Sequence, residues 1–413
     1  MADGRVSDSA DLARQCMAAR PRLVAALAAQ LRDLDAAEDA FAEAMAACLA
    51  LETPPDRVGA WLMTVARRKA VDAIRSETAR IRASEAAALI DEGEHSMGNV
   101  IALPESIPDE RLRLIFICCH PAIAIEARTA LALKVVCGLP VSAIARVFLT
   151  SEPAMFQRIT RAKTKVREAG IAFELPERRH WGDRLEAVLL TIELAYTAAY
   201  QDAAGEIDPD LAAEMGRLAA MIAELLPEEP EALGLAALIM LARSREAARL
   251  DEIGAMIPLS QQDTGRWDFE AIEQARAWMD DAAVFERSGP YQVMAAIQLT
   301  HARRAFDGET DWQAILSLYN ALLHMRPGPM IALNRALALA EVEGAESALE
   351  FVESLPLDRF GNARPVHVAR ANLLARTGNV RAARMALDRA LVLDPPQAER
   401  LFLERCRIEL SAI

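Results

Sequence analysis

Of the 413 residues, 60 are Asp or Glu and 46 are Lys or Arg, a formal net charge of −14. A surface this acidic excludes general binding to nucleic acid or to an anionic membrane, so any such contact must be local. Hydrophobic residues make up 53% and aromatics only 5%, which fits a globular chain of two or three domains rich in Ala and Leu; an all-α fold is expected.

Residues 10–76 read as the first domain. LVAALAAQL and AAEDAFAEAMAACLA carry apolar residues at helical spacing, TPPDRVG breaks the pattern, and WLMTVARRKAVDAIRS starts another helix. Arg67, Arg68, Lys69 and Arg75 form a cationic cluster on that helix, fit to lie along a phosphate backbone. Asp72 is suited either to accept from an exposed base amine or to pair with Arg68 or Arg75. Trp61 is suited to wedge a duplex or to pack in the core. Residues 77–107 lose the periodicity, include DEGEHSMGN and two prolines, and read as a linker.

Residues 108–173 read as a second helical domain. Its stretch SEPAMFQRITRAKTKVRE holds five Arg or Lys and two Glu. At about 100° per residue, Met155, Ile159, Ala162 and Val166 fall within about 40° of one another and form a core stripe. Ala154, Gln157, Arg158, Arg161 and Lys165 lie opposite, while Lys163 and Arg167 flank the stripe on its other side. Thr150 or Ser151 is placed to cap this helix, and GLPVSAIARVFLT supplies a short helix and a tight turn before it. A short helix, a turn and a helix with one basic face make a helix-turn-helix. In that geometry Ser151, Glu152, Ala154, Gln157 and Arg158 reach base edges, and Arg161, Lys163 and Lys165 neutralise phosphates.

The six Cys show no C-x-x-C pair and fit reduced, buried thiols in a cytoplasmic protein; the polar start MADGRVSDSAD does not read as a secretory signal. Cys118, Cys119, His120 and Cys137 lack the spacing of a metal site, because adjacent Cys on a helix point about 100° apart. The apolar runs LIFICCHPAIAI and LGLAALIMLA are too short to cross a bilayer, so no membrane partner is expected. No Walker loop, H-E-x-x-H, G-x-S-x-G or dinucleotide fingerprint occurs; neither enzyme activity nor a metal or cofactor is expected.

Residues 181–413 read as a large helical C-terminal domain. Residues 201–300 hold 19 Asp and Glu against 7 Arg and Lys, which concentrates the chain's negative charge there. Gly344 and Gly378 stand 34 residues apart, as do Ala314, Ala348 and Ala382 in succession. Leu318, Val352 and Ala386 repeat the interval, as do Phe306, Ala340 and Leu374. That is the tetratricopeptide period, and RPVHVARANLLARTGNVRAARMALDRALVLDP matches it best; about three such repeats are expected from residue 290 on. In MIPLSQQDTGRWDFEAIEQA, Trp267 is suited to anchor the loop on the core or to meet a partner.

Taken together these residues carry a resemblance. GLPVSAIARVFLTSEPAMFQRITRAKTKVRE resembles region 4 of bacterial sigma factors through Gly138-Leu139, Ile144-Ala145, Ser151 and Arg158-x-x-Arg161-Ala162-Lys163, with Glu152-Pro153 a departure from the usual pattern. DAAEDAFAEAMAACLA resembles sigma region 2.2, which implies that Asp35, Glu38, Asp39, Phe41 and Glu43 dock on core RNA polymerase. AWLMTVARRKAVDAIR resembles regions 2.3–2.4, which implies that its helix engages promoter DNA as the duplex opens. Region 2, a linker and region 4 in that order, followed by a long repeat-like extension, resemble the extracytoplasmic-function sigma factors with a tetratricopeptide-like C-terminal domain. The resemblance implies core RNA polymerase and promoter DNA as partners, and a regulatory protein on the repeats. The residues alone also fit a helix-turn-helix regulator with a repeat-type sensor domain that works without polymerase.

Overall fold

The structure is a computed structural model that describes residues 2–31, 34–51, 53–85, 109–168, 177–200, 207, 210–355 and 363–411. Among them the fold is all-α: helices follow one another without a strand, and the sole β-type pairing is an isolated bridge between Leu250 and Met256. The chain divides into two compact units, Met1–Ala195 and Tyr196–Ile413.

The first unit opens with α1 (Ala2–Leu31), α2 (Leu34–Leu49) and α3 (Val58–Glu85), which pack pairwise on one another. Leu27, Ala37, Phe41, Ala44, Leu62 and Ala66 are buried between them. Small Ala side chains on α2 let the helices approach closely. α3 runs on to Glu85, past residue 76 where a linker was expected. SETARIRASE contains neither Gly nor Pro, so nothing in its backbone chemistry ends the helix. The rest of the expected linker lies outside the described residues.

Next come α4 (Glu110–Cys118), α5 (Ile125–Val135), α6 (Val141–Val147) and α7 (Glu152–Glu168). Asp109 caps α4 by accepting from the backbone N–H groups of Arg111 and Leu112 at 2.8 and 3.0 Å. The other end of α4 is closed by two buried guanidinium groups. Arg128 donates to the Cys119 carbonyl at 3.2 Å, and Arg184 to that of Phe116 at 2.8 Å. These carbonyls have no intrahelical partner, and a cation there also complements the helix dipole. Arg184 sits on α8 (Gly182–Tyr200), and Trp181 just before it packs on Phe116 with ring centroids 5.1 Å apart. The first unit therefore extends past residue 181, where the C-terminal domain was expected to begin.

The second unit is a succession of helices packed on one another along the chain. They are α9 (Leu211–Leu225), α10 (Pro230–Arg243), α11 (Phe269–Ala283), α12 (Pro290–Ala302), the single turn α13 (Arg304–Asp307), α14 (Trp312–Met325), α15 (Pro329–Val342), α16 (Ala345–Ser354), α17 (Arg364–Arg376), α18 (Val380–Val392) and α19 (Gln397–Glu409), with α12 packing on α14 past the single intervening turn. Gly344 and Gly378 both turn the chain between helices at positive φ, 96° and 80°. A side chain at either position would strain the backbone, which explains why glycine recurs at that interval. Ala348, Val352, Ala383 and Ala386 are buried at the helix contacts. Trp267 is 4% exposed in the core between α10, α11 and α12, under the Arg304 guanidinium at 5.3 Å from its ring centroid. It anchors the 259–268 loop.

Candidate nucleic-acid interface

The basic stretch folds as the sequence pattern demands. α6 buries Ala143, Ile144 and Ala145, and the chain then turns sharply through Leu149, at φ 50°. The Thr150 N–H closes the turn on the Ala145 carbonyl at 3.0 Å. Ser151 begins α7, its Oγ accepting from the Ala154 N–H at 3.4 Å. Met155, Ile159 and Ala162 are buried, as the stripe predicts. Consequently Ser151, Glu152, Ala154, Gln157, Arg161 and Lys165 are exposed on the other side.

On that face Arg161 donates to Gln157 Oε1 at 3.1 Å. Arg158 lies over the Phe148 ring at 5.7 Å from its centroid and 3.9 Å from Glu126. Its side chain is 34% exposed, so a phosphate or base edge can still reach it. A groove of about 380 Å³ runs between α7 and the start of α5, lined by Gln157, Arg158, Arg161 and Lys165 among others. Three cations on one wall of an open groove are an electrostatic footprint for an anion of regular charge spacing. Phe156 is 63% exposed beside Gln157. The wheel assigned it to neither face, yet an exposed ring at the start of such a helix is suited to contact a thymine methyl.

Lys163 departs from expectation. Its Nζ lies 3.2 Å from Asp35 Oδ1 and 2.5 Å from Glu38 Oε2, on α2. Arg20 of α1 approaches the other Glu38 oxygen at 2.5 Å. Burial alone would pull the lysine's pKa down, but the bonds and charges of Glu38 and Asp35 outweigh it and hold the ammonium above its usual range. In this conformation Lys163 is therefore turned away from the open basic face and ties α7 to α2. The reason is angular: positions two apart on a helix point about 200° apart, so Lys163 cannot share a face with Arg161 and Lys165. Arg20 went unnoticed in the sequence because nothing in its own helix pattern signals a partner on α2.

The α2–α3 surface is mixed. Asp39 and Glu43 are exposed, and Lys69 pairs with Glu43 at 3.3 Å. Arg67 donates to Gln30 at 2.9 Å, and Arg68 and Asp72 are exposed. Trp61 is half-buried. Phe41 is 3% exposed, so it fixes α2 in the core instead of presenting a contact surface. Arg75 lies on α3, but its side chain lies outside the described residues.

The cysteines near α4 are core residues. Burial pushes the Cys119 thiol up to about 12, eased by a contact with the Thr191 hydroxyl. Among the described residues no group of three or more His, Cys, Asp or Glu is arranged to hold a metal. Among the same residues no helix is long and apolar enough to cross a membrane.

Residues 17–80 match the family described as Sigma-70 region 2. The N-terminal part of the chain thus carries a sigma-70 region 2 domain. The region 2 match covers the second half of α1, all of α2 and most of α3, and so contains Asp35, Glu38, Glu43, Arg67, Arg68, Lys69 and Asp72. Over 403 residues the chain is 39% identical to an uncharacterized protein of Rhizobium meliloti (strain 1021), spanning 96% of this chain and 95% of the relative. The alignment therefore runs across both compact units of this chain. Residues 184–283 match a family of unknown function, DUF6596, which covers most of α8 with α9, α10 and α11. No solved structure matches.

Proposed function

We propose that this chain is a sigma-70 family member that directs promoter recognition as an extracytoplasmic-function sigma factor whose C-terminal helical unit modulates its activity. In this reading the acidic α2 surface (Asp35, Glu38, Asp39, Glu43) docks on core RNA polymerase. Arg67, Arg68, Lys69, Asp72 and Arg75 engage the promoter as it melts, with backbone contacts offsetting the few kcal/mol that unstacking a base costs. Residues 108–173 act as the region 4 helix-turn-helix. Ser151, Glu152, Ala154, Gln157 and Arg158 face base edges, and Arg161 and Lys165 face phosphates. Phe41 is dropped from the contact set because it is buried. The helical succession from residue 290 serves as a tetratricopeptide-like platform for a regulatory protein.

One observation carries the reading: the region 2 match lies in the same compact unit as a capped helix whose Gln157, Arg161 and Lys165 face is open. Lys163 adds a consequence. Because it occupies Asp35 and Glu38, the polymerase must displace it when it docks. The test is run-off transcription with purified core polymerase and the full chain. Promoter-specific transcripts are expected only when both are present. Tight, specific duplex binding by the chain alone, with no effect of core enzyme, would overturn the reading in favour of a free-standing regulator.

A further inference from the structure

The second unit contains a cluster that runs against its charge. The 201–300 window is strongly acidic, yet Arg243, Arg245 and Arg249 gather where α10 ends, against the last turn of α8. Cations at a helix C-terminus ordinarily bond its last carbonyls. These do not. Arg245 is half-buried and donates to Gln298 Oε1 of α12 at 2.7 Å, leaving the rest of its five N–H donors unused among the described residues. Arg249 lies flat on the Tyr200 ring at 3.4 Å from its centroid and bonds to no carboxylate among the described residues. Arg243 Nε is buried without a hydrogen bond among the described residues; Glu246 lies 3.8 Å from it and is 52% exposed.

Tyr196 completes the group. It is 7% exposed, stacks on Tyr200 at 5.7 Å, and its hydroxyl is buried with no hydrogen-bond partner among the described residues. Burial pushes this phenol well above its ordinary range, so at neutral pH it is a fixed O–H donor. The locus thus offers guanidinium and hydroxyl donors from α8 and the end of α10, with Gln298 and a half-exposed Glu246 as the acceptors among the described residues. Buried donors left unpaired are costly, and guanidinium forks match the geometry of carboxylate and phosphate oxygens.

We propose that Tyr196, Arg245 and Arg249 form a binding site for a small oxyanion, a carboxylate or a phosphate, within the DUF6596 part of the chain. Tyr200 holds the Arg249 fork flat, Gln298 orients Arg245, and Tyr196 gives the neutral donor. The site stands independently of how the first unit acts, since binding is read directly on the protein.

The test is calorimetric titration and thermal melting of the full-length chain with inorganic phosphate in one arm and citrate in the other, against sodium chloride of equal ionic strength. Saturable binding of either probe is expected, with a rise in Tm that chloride does not reproduce. Preference for one probe assigns the source as phosphate or carboxylate. R245Q and R249Q should each weaken binding about tenfold or more, since each removes a charged hydrogen-bonding partner. Y196F, which keeps the ring and removes the hydroxyl, should weaken it several-fold, and R249K should not restore it, since the ammonium lacks the planar fork. Absence of saturable binding by both probes, or affinity unchanged in the folded R245Q, R249Q and Y196F chains, would overturn the proposal.

Discussion

Replacing Lys163 with Gln isolates what this residue does. In the structure Lys163 is 25% exposed, Glu38 19% and Asp35 47%, so the contact stands between the surface and the interior. Exposed pairs contribute about 0.2–1 kcal/mol, whereas removing one partner of a fully buried pair costs about 3–5 kcal/mol. Arg20 still neutralises Glu38 in the variant, which holds the cost toward the lower range; about 1.5 kcal/mol is a reasonable expectation. That corresponds to roughly tenfold in an equilibrium. If docking on core polymerase must first break this contact, K163Q should bind core up to about tenfold more tightly. Raising salt should narrow the difference by screening the wild-type pair. The alternative role predicts a different outcome. A Lys163 that contacts promoter phosphate would, on replacement, leave core affinity unchanged and weaken promoter complexes. Fluorescence titration of labelled chain against core enzyme, with urea melts to confirm folding, separates the two. Unchanged core affinity in a folded K163Q would refute the latch. The latch is insensitive to pH in the neutral range. A lysine whose pKa is raised gives its stability at all pH below the unfolded value, and loses it only as pH climbs through the folded one.

Arg161→Ala should weaken promoter binding nearly uniformly across sequences and lower the salt slope by about one, while Gln157→Ala should change base preference; gel-shift series over salt and sequence measure both. His301, beside Trp312, is pushed down to about 4 by burial and then by Arg245 and Arg304. Its unfolded form takes a proton from about pH 6.5 downward and its folded form resists until about 4, so stability should fall by roughly 3 kcal/mol across that interval. H301N should flatten that slope in urea melts compared between pH 7 and 4. Gly378→Ala, at φ 80°, should cost about 1–2 kcal/mol and lower Tm, whereas an exposed helical Ala substitution such as Arg381→Ala should not. A chain ending at residue 180 should be less stable to proteolysis than one ending at 200, because the first removes Trp181 and Arg184 from α4; equal resistance would show that these contacts are dispensable.

Much of the fold was legible because it follows from spacing. Met155, Ile159 and Ala162 recur at helical intervals and are buried, and Ser151 caps the helix they lie on. The recurrence of Gly344 and Gly378 has a backbone cause that composition alone hints at. What was not legible is tertiary. The Trp181–Arg184 segment reads as the start of the C-terminal domain because its sequence is helical like everything after it. Its packing on the terminal carbonyls of α4 places it with the first unit. Phe41 illustrates the same limit: a motif position shows that a residue matters without showing whether it touches the partner or holds the helix that does.

Charge is where a linear reading has least purchase. Lys163 and Lys165 are chemically identical and two residues apart, yet one is sequestered by two carboxylates and the other faces an open groove. Arg245 and Arg249 lie in a segment whose net charge argues against any anion, yet the described residues around them hold more donors than acceptors. In both places the deciding quantity is which groups lie within a few ångströms, because screening removes the influence of the rest beyond roughly 8–10 Å. A net charge of −14 thus constrains solubility and encounter, while each binding surface is set by three or four side chains whose faces the helix period and the packing choose.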